Sequence, residues 1–199
     1  MSLQLKAGRM AAFSDGVIAV IITVMVLELR VPAQDLPDFE GLRKVLPVFV
    51  IYALSFVEVG IYWVNHHYMV DDVEHVSHGL LWANLGFLFA ISLIPFGTAW
   101  VGQRGVTPFS LSFYSICCAS PAVAWMVLSA LVRRRTRLPF AGSPVKQAIS
   151  SILYIAVIPV AYHSLISALG ILAAVAILWL FPPKRSIECR VRKGRPFSP

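Results

Sequence analysis

The sequence predicts an all-α polytopic membrane protein with six transmembrane helices, and three observations carry that prediction. The 199-residue chain is 58% hydrophobic and only 14% charged, with a mean hydropathy of +0.75. Soluble domains carry about 25% charged residues. The apolar residues gather into six runs, most of them near the ~20 residues that a helix needs to cross the hydrocarbon core. The Lys and Arg residues fall mainly between those runs and sort unequally onto two sides.

The first span runs from about Ala11 to Leu29. The second runs from about Leu46 to Val64, after a short segment around Pro37 and Asp38 that reads as interfacial. The third covers about Gly79 to Val101 and the fourth about Phe109 to Val132. The fifth and sixth, about Ala148 to Tyr162 and Leu165 to Phe181, are short and separated by a break near His163. Pro95, Pro121 and Pro159 lie inside spans, where neighbouring helices can re-satisfy the freed backbone groups.

Orientation follows from the basic residues. With the N-terminus cytoplasmic, thirteen Lys and Arg lie inside and four outside, so both termini are placed in the cytoplasm. The acidic loop from His66 to His78 lacks Lys and Arg, but acidic residues count little in this rule. Residues 1–183 then form one six-helix transmembrane domain, and 184–199 a basic, disordered cytoplasmic tail. The tail and Arg133-Arg134-Arg135-Thr136-Arg137 suit anionic membrane lipids as partners.

Several function classes are disfavoured. The net charge of +7 does not point to nucleic acid, because the cations sit in loops between spans and in the tail. Cys117, Cys118 and Cys189 form neither a disulfide framework nor zinc spacing. The first apolar run is too long for a cleaved signal and is followed by Glu28. No G-x-S-x-G nucleophile motif occurs, so the chain reads as a non-enzyme.

One residue breaks the apolar character of the first span. Asp15, in Phe13-Ser14-Asp15, carries a carboxylate that costs roughly 2.5–3.5 kcal/mol at a helix centre. Intramembrane ionisable groups pair with partners in the protein interior. The candidates here are Arg9, Ser14, His66, Trp82 and Asn84, which fall at one level of the bundle. At ~100° per residue, Val24 and Leu27 lie within about 40° of Val20, while Asp15 is about 140° away. Thr23 sits at the edge of that apolar stripe.

A rival constellation follows the second span. His67, Asp71, His75 and His78 share one face, at spacings of 4, 4 and 3, if the segment is helical. They are candidate metal ligands by residue type. They support a second reading, a divalent-metal or proton-regulated membrane transporter.

Four motifs in order resemble the transmembrane protein 175 family of potassium channels. The first is Arg9, three residues, Phe13-Ser14-Asp15, then Val20 and Thr23. Trp63 and His66 follow, then Trp82 and Asn84, then Pro95 and Phe96. The resemblance covers the first three spans. It implies a bacterial, single-unit member that forms a homotetramer in the inner (plasma) membrane, its pore lined by four copies of the first helix. It implies potassium as the permeant ion, sodium more weakly, and no cofactor. It implies that Val20, Val24 and Leu27 form apolar constriction rings and Thr23 a selectivity layer, without the Thr-Val-Gly-Tyr-Gly filter of other potassium channels. Arg9, Phe13, Ser14, Asp15, His66, Trp82 and Asn84 become the network that supports the pore helix. The narrow ring is commonly Ile or Leu in the family. Val20 is smaller, so the resemblance predicts a wider and leakier ring.

Overall fold

The computed structural model of the chain describes residues 7–31, 37–70, 73, 76–136 and 144–180. Each of the six expected spans is a helix: α1 (Ala7–Val24), α2 (Asp38–Val70), α3 (His78–Arg104), α4 (Pro108–Thr136), α5 (Pro144–His163) and α6 (Leu165–Leu180). A 3₁₀ turn, Met25–Glu28, extends α1. Among the described residues five helices are long and apolar enough to cross a membrane, and α6 is a shorter apolar helix of 16 residues. The 184–199 tail lies outside the described residues.

Local chemistry sets the helix ends. The short segment around Pro37 and Asp38 forms the first turns of α2, with the Gly41 N–H bonded to the Pro37 carbonyl. Asp38 and Glu40 occupy that first turn, where carboxylates suit the helix dipole. At 33 residues α2 is about 50 Å long, so it outreaches the ~30 Å hydrocarbon core. Ser77 caps α3 by accepting from the Leu80 N–H. Gly105, at φ +78°, ends α3 with a conformation that L side chains rarely adopt. Thr107 caps α4 and Pro108 follows at its first turn. Ser164 alone separates α5 from α6, and its Oγ accepts from the Ser167 N–H.

Cross-links reveal how the helices run. Lys146 at the start of α5 donates to the Leu178 carbonyl at the end of α6, and Trp179 Nε1 donates to Ser150 Oγ at 2.7 Å. The α5–α6 pair is therefore an antiparallel hairpin. The most extensive packing is between α3 and α4, around buried Phe87, Ile91, Ile94, Leu111 and Leu128. Between α2, α3 and α4, Ser55 Oγ lies 2.7 Å from Thr98 Oγ1 and 2.9 Å from the Tyr114 hydroxyl.

Gly97 permits the α3–α4 approach: a Cβ there meets Cys117 Cβ at 3.0 Å and Sγ at 3.2 Å. Gly97→Leu should destabilise the protein by about 1–3 kcal/mol through overpacking. Thermal unfolding in detergent should show a lowered Tm, with Gly97→Ala affected less. An unchanged Tm in Gly97→Leu contradicts this close contact.

Candidate functional site

The candidate site starts from the two-sidedness of α1. Met10, Ser14, Ile18 and Ile21, followed by Met25 in the 3₁₀ turn, are buried against the bundle. That spacing of 4, 4, 3 and 4 is one helical face. An exposed apolar side begins at Val20, about 100° round from Ile21 and about 120° from Ser14: Val20 is 60% exposed, Val24 43% and Leu27 75%. Leu27 lies in the 3₁₀ turn, where residues three apart eclipse, so it stands over Val24. Thr23 is exposed, and its hydroxyl donates to the Ala19 and Val20 carbonyls at 3.0 Å. With the proton committed to the helix, the Thr23 oxygen offers only acceptor capacity outward.

A chain of side-chain hydrogen bonds holds α1 against α2 and α3. Ser14 Oγ donates to the Met10 carbonyl and accepts from Asn84 Nδ2, both at 2.9 Å. Asn84 Oδ1 lies 2.7 Å from His66 Nε2. The amide oxygen can only accept, so this arrangement has the imidazole donating from Nε2. Ser14, His66 and Asn84 are all buried. The His66 ring stacks on Phe87, with centroids 5.6 Å apart and planes 4° from parallel.

Asp15 is satisfied differently from the sequence expectation. Its Oδ1 accepts from Trp63 Nε1 at 2.9 Å, and it forms no ion pair with Arg9, which is exposed. The physical reason is rotation. Asp15 is about 100° round the helix from Ser14, so it faces the indole of α2 while Ser14 faces Asn84 of α3. Trp82 is also outside the chain of bonds: it is exposed and donates to His78 Nε2 at 3.0 Å. Phe13 is exposed at the same level. The set named from the sequence thus divides into a buried trio, one carboxylate on Trp63, and three exposed members.

The metal constellation loses its geometric premise. The helix stops at Val70, and His78 begins a different helix, so no single helical face carries residues 67 to 78. Asp71 and His75 lie outside the described residues. Among the described residues no three His, Cys, Asp or Glu side chains form a metal-binding group.

Sequence reasoning also missed an intramembrane carboxyl. Glu58 of α2 accepts from the Tyr154 hydroxyl of α5 at 2.7 Å, and the Cys118 thiol of α4 is within hydrogen-bonding reach. The signal was present in the sequence as an acidic residue inside the second span, but its partner is 96 residues away.

Removing Asn84 should separate α1 from α3. Interhelical hydrogen bonds in membrane proteins average about 0.6 kcal/mol, with a maximum near 1.7. Two are lost in Asn84→Leu, with His66 Nε2 left without its acceptor and Ser14 left only its bond to the Met10 carbonyl, so a cost of about 1–3 kcal/mol is expected. Trp63→Phe keeps an aromatic ring but loses the bond to Asp15 and part of the contact surface of a half-exposed indole, and should cost under about 1 kcal/mol. Thermal unfolding in detergent checks the order, and Trp63→Phe as the more damaging change contradicts it.

The family profile described as "Endosomal/lysosomal potassium channel TMEM175" matches residues 9–95. A protein of Chryseobacterium sp. (strain P1-3) named a potassium channel is 40% identical over 183 residues, covering 89% of this chain and 94% of its own. A Streptomyces collinus protein, also named a potassium channel, is 33% identical over 62% of this chain and 63% of its own. A solved structure titled as a lysosomal potassium-selective channel TMEM175 homolog from Chamaesiphon minutus superposes with a TM-score of 0.70 at 24% identity. It covers 87% of this chain and 96% of that one, and shows that the fold is shared. With identity of 40% across nearly the whole of both chains, and a profile match over the segment that holds Ser14, Asp15, His66 and Asn84, this multi-pass membrane chain belongs to the TMEM175 family of channels.

Proposed function

We propose that the chain is a homotetrameric, potassium-preferring cation channel of a bacterial plasma membrane, with both termini cytoplasmic. The observation that carries this reading is the divided α1. One face is anchored to the bundle by Ser14 and four apolar side chains, and the other offers Val20, Thr23, Val24 and Leu27 to whatever lies outside the protomer. The names of the Chryseobacterium and Streptomyces relatives support the ion.

In this reading four α1 helices surround the axis. Val20, Val24 and Leu27 form stacked apolar rings that block ions when dry and conduct when wet. Thr23 lies between the first two rings and presents its oxygen to a partly dehydrated cation. Potassium sheds water more readily than sodium, so a short apolar passage favours it without a carbonyl filter. The Ser14–Asn84–His66 chain and the Asp15–Trp63 bond hold the rings in register and take no part in the ion path.

The deciding experiment is the reversal potential in a planar bilayer with potassium on one side and sodium on the other. Reversal displaced toward the potassium equilibrium potential is expected. Val20→Phe should reduce the current at least about tenfold by keeping the ring dry, and Val20→Ala should move reversal toward zero. A channel indifferent to both substitutions conducts by another route.

A further inference from the structure

A second polar site lies away from α1, in a crevice lined by residues of α2, α4, α5 and α6. The crevice encloses about 500 Å³ including its mouth, and its interior offers about 30 Å³ to the centre of a water-sized group. Glu58 lines it, and among the described lining residues there is no Lys, Arg or His to balance that carboxyl. Tyr62, Trp125, Tyr154 and Trp179 line it as well. Two of these rings are fixed by their polar tips: Tyr154 donates to Glu58 and Trp179 to Ser150. Gln147 completes the set, and its Nε2 is buried without a hydrogen-bond partner.

Each feature restricts the occupant. An acceptor carboxyl among aromatic rings suits an ammonium group, whose charge the carboxylate balances and the ring faces attract. An orphaned amide N–H requires an acceptor, which a bare metal ion or a simple alkylammonium lacks. Short carbon chains fit the apolar surface between the two. The geometry points to a binding site for a small protonated amino alcohol, its ammonium on Glu58, its oxygen accepting from Gln147, and its carbons against Trp125 and Trp179. An ethanolamine group carries this chemistry either as the free molecule or as a lipid headgroup, where a phosphate-ester oxygen is the acceptor. The site does not depend on how α1 is used, so its test is independent of conduction.

The test uses the full chain purified in detergent, with Tm followed against ethanolamine, ethylamine and ethylene glycol at matched pH and ionic strength. Ethanolamine should raise Tm with an apparent affinity about fivefold above that of ethylamine, the difference being one hydrogen bond. Ethylene glycol should leave Tm unmoved. Glu58→Gln should weaken both amines by about tenfold or more, and Gln147→Ala should bring ethanolamine down to the ethylamine level. If Glu58→Gln does not fold, the ligand series and Gln147→Ala still decide. Equal responses to ethanolamine and ethylene glycol, a response that survives in folded Glu58→Gln, or no response in the parent overturns the proposal. Reconstitution in phosphatidylethanolamine against phosphatidylcholine vesicles separates the sources. A Glu58-dependent stabilisation by the former assigns the lipid-borne group, and its absence, with ethanolamine active in detergent, assigns the free one.

Discussion

The hydrogen bond from Asn84 to Ser14 decides which way α1 faces. A helix as apolar as α1 gains little from turning one side rather than another toward its neighbours, because lipid tails are about as apolar as a Leu side chain. Rotation must come from contacts that have direction. Ser14 supplies one, buried at the same level as Asn84 and His66. Once it points inward, the 3.6-residue repeat carries Met10, Ile18 and Ile21 inward with it. Val20, about 120° from Ser14, is left outward by the same geometry, and Val24 lies at the border between the two sides.

The other polar contacts extend this logic through α2. Reading along that helix, Ser55 meets Thr98 and Tyr114, Glu58 meets Tyr154, Trp63 meets Asp15 and His66 meets Asn84. These four positions fall within about 140° on one side of the helix and bind it first to α3 and α4, then to α5, then to α1 and again to α3. A helix that touches so many neighbours through directed bonds has one rotation and one depth. Its length serves that role, since a shorter helix has room for fewer such contacts at separate levels. The hairpin of α5 and α6 is tied to itself by Lys146 and Trp179 and joins the rest through Glu58 of α2 and through Ser115 of α4, whose Oγ donates to the Tyr154 carbonyl.

Most of the fold is legible in the sequence because bilayer thickness imposes a length on every span, whatever surrounds it. Ser77, Thr107 and Ser164 cap through local chemistry, so the breaks fall where the apolar runs end. The start of α2 is less legible: the sequence places the span from about Leu46 and sets Pro37 and Asp38 in a separate segment, whereas the bond from Gly41 to Pro37 shows that the helix already starts there. At the site, Ser14, His66 and Asn84 are readable as polar residues at one level. The partner of Asp15 is not, because charge logic seeks a cation and the structure uses an indole N–H. Glu58 is hidden for a related reason, since its meaning depends on the packing of α5 against α2.

The anchoring of α1 is uneven along its length, and this bears on the proposed pore. Ser14 and Asp15 bond to α3 and α2 about one and a half turns before Val20, and Ile18 and Ile21 are buried on either side of it. Val20 therefore inherits a fixed rotation. Beyond Val24 the helix tightens into the 3₁₀ turn, held inward by Met25, while Val26 and Leu27 are exposed. In an α-helix Leu27 sits about 60° round from Val24, and in a 3₁₀ turn the two eclipse. The direction of Leu27 thus depends on which hydrogen-bond pattern the turn keeps, whereas that of Val20 depends on the Ser14 anchor. A constriction that must keep one diameter is better served by Val20, and a passage that opens and closes is better served by Leu27.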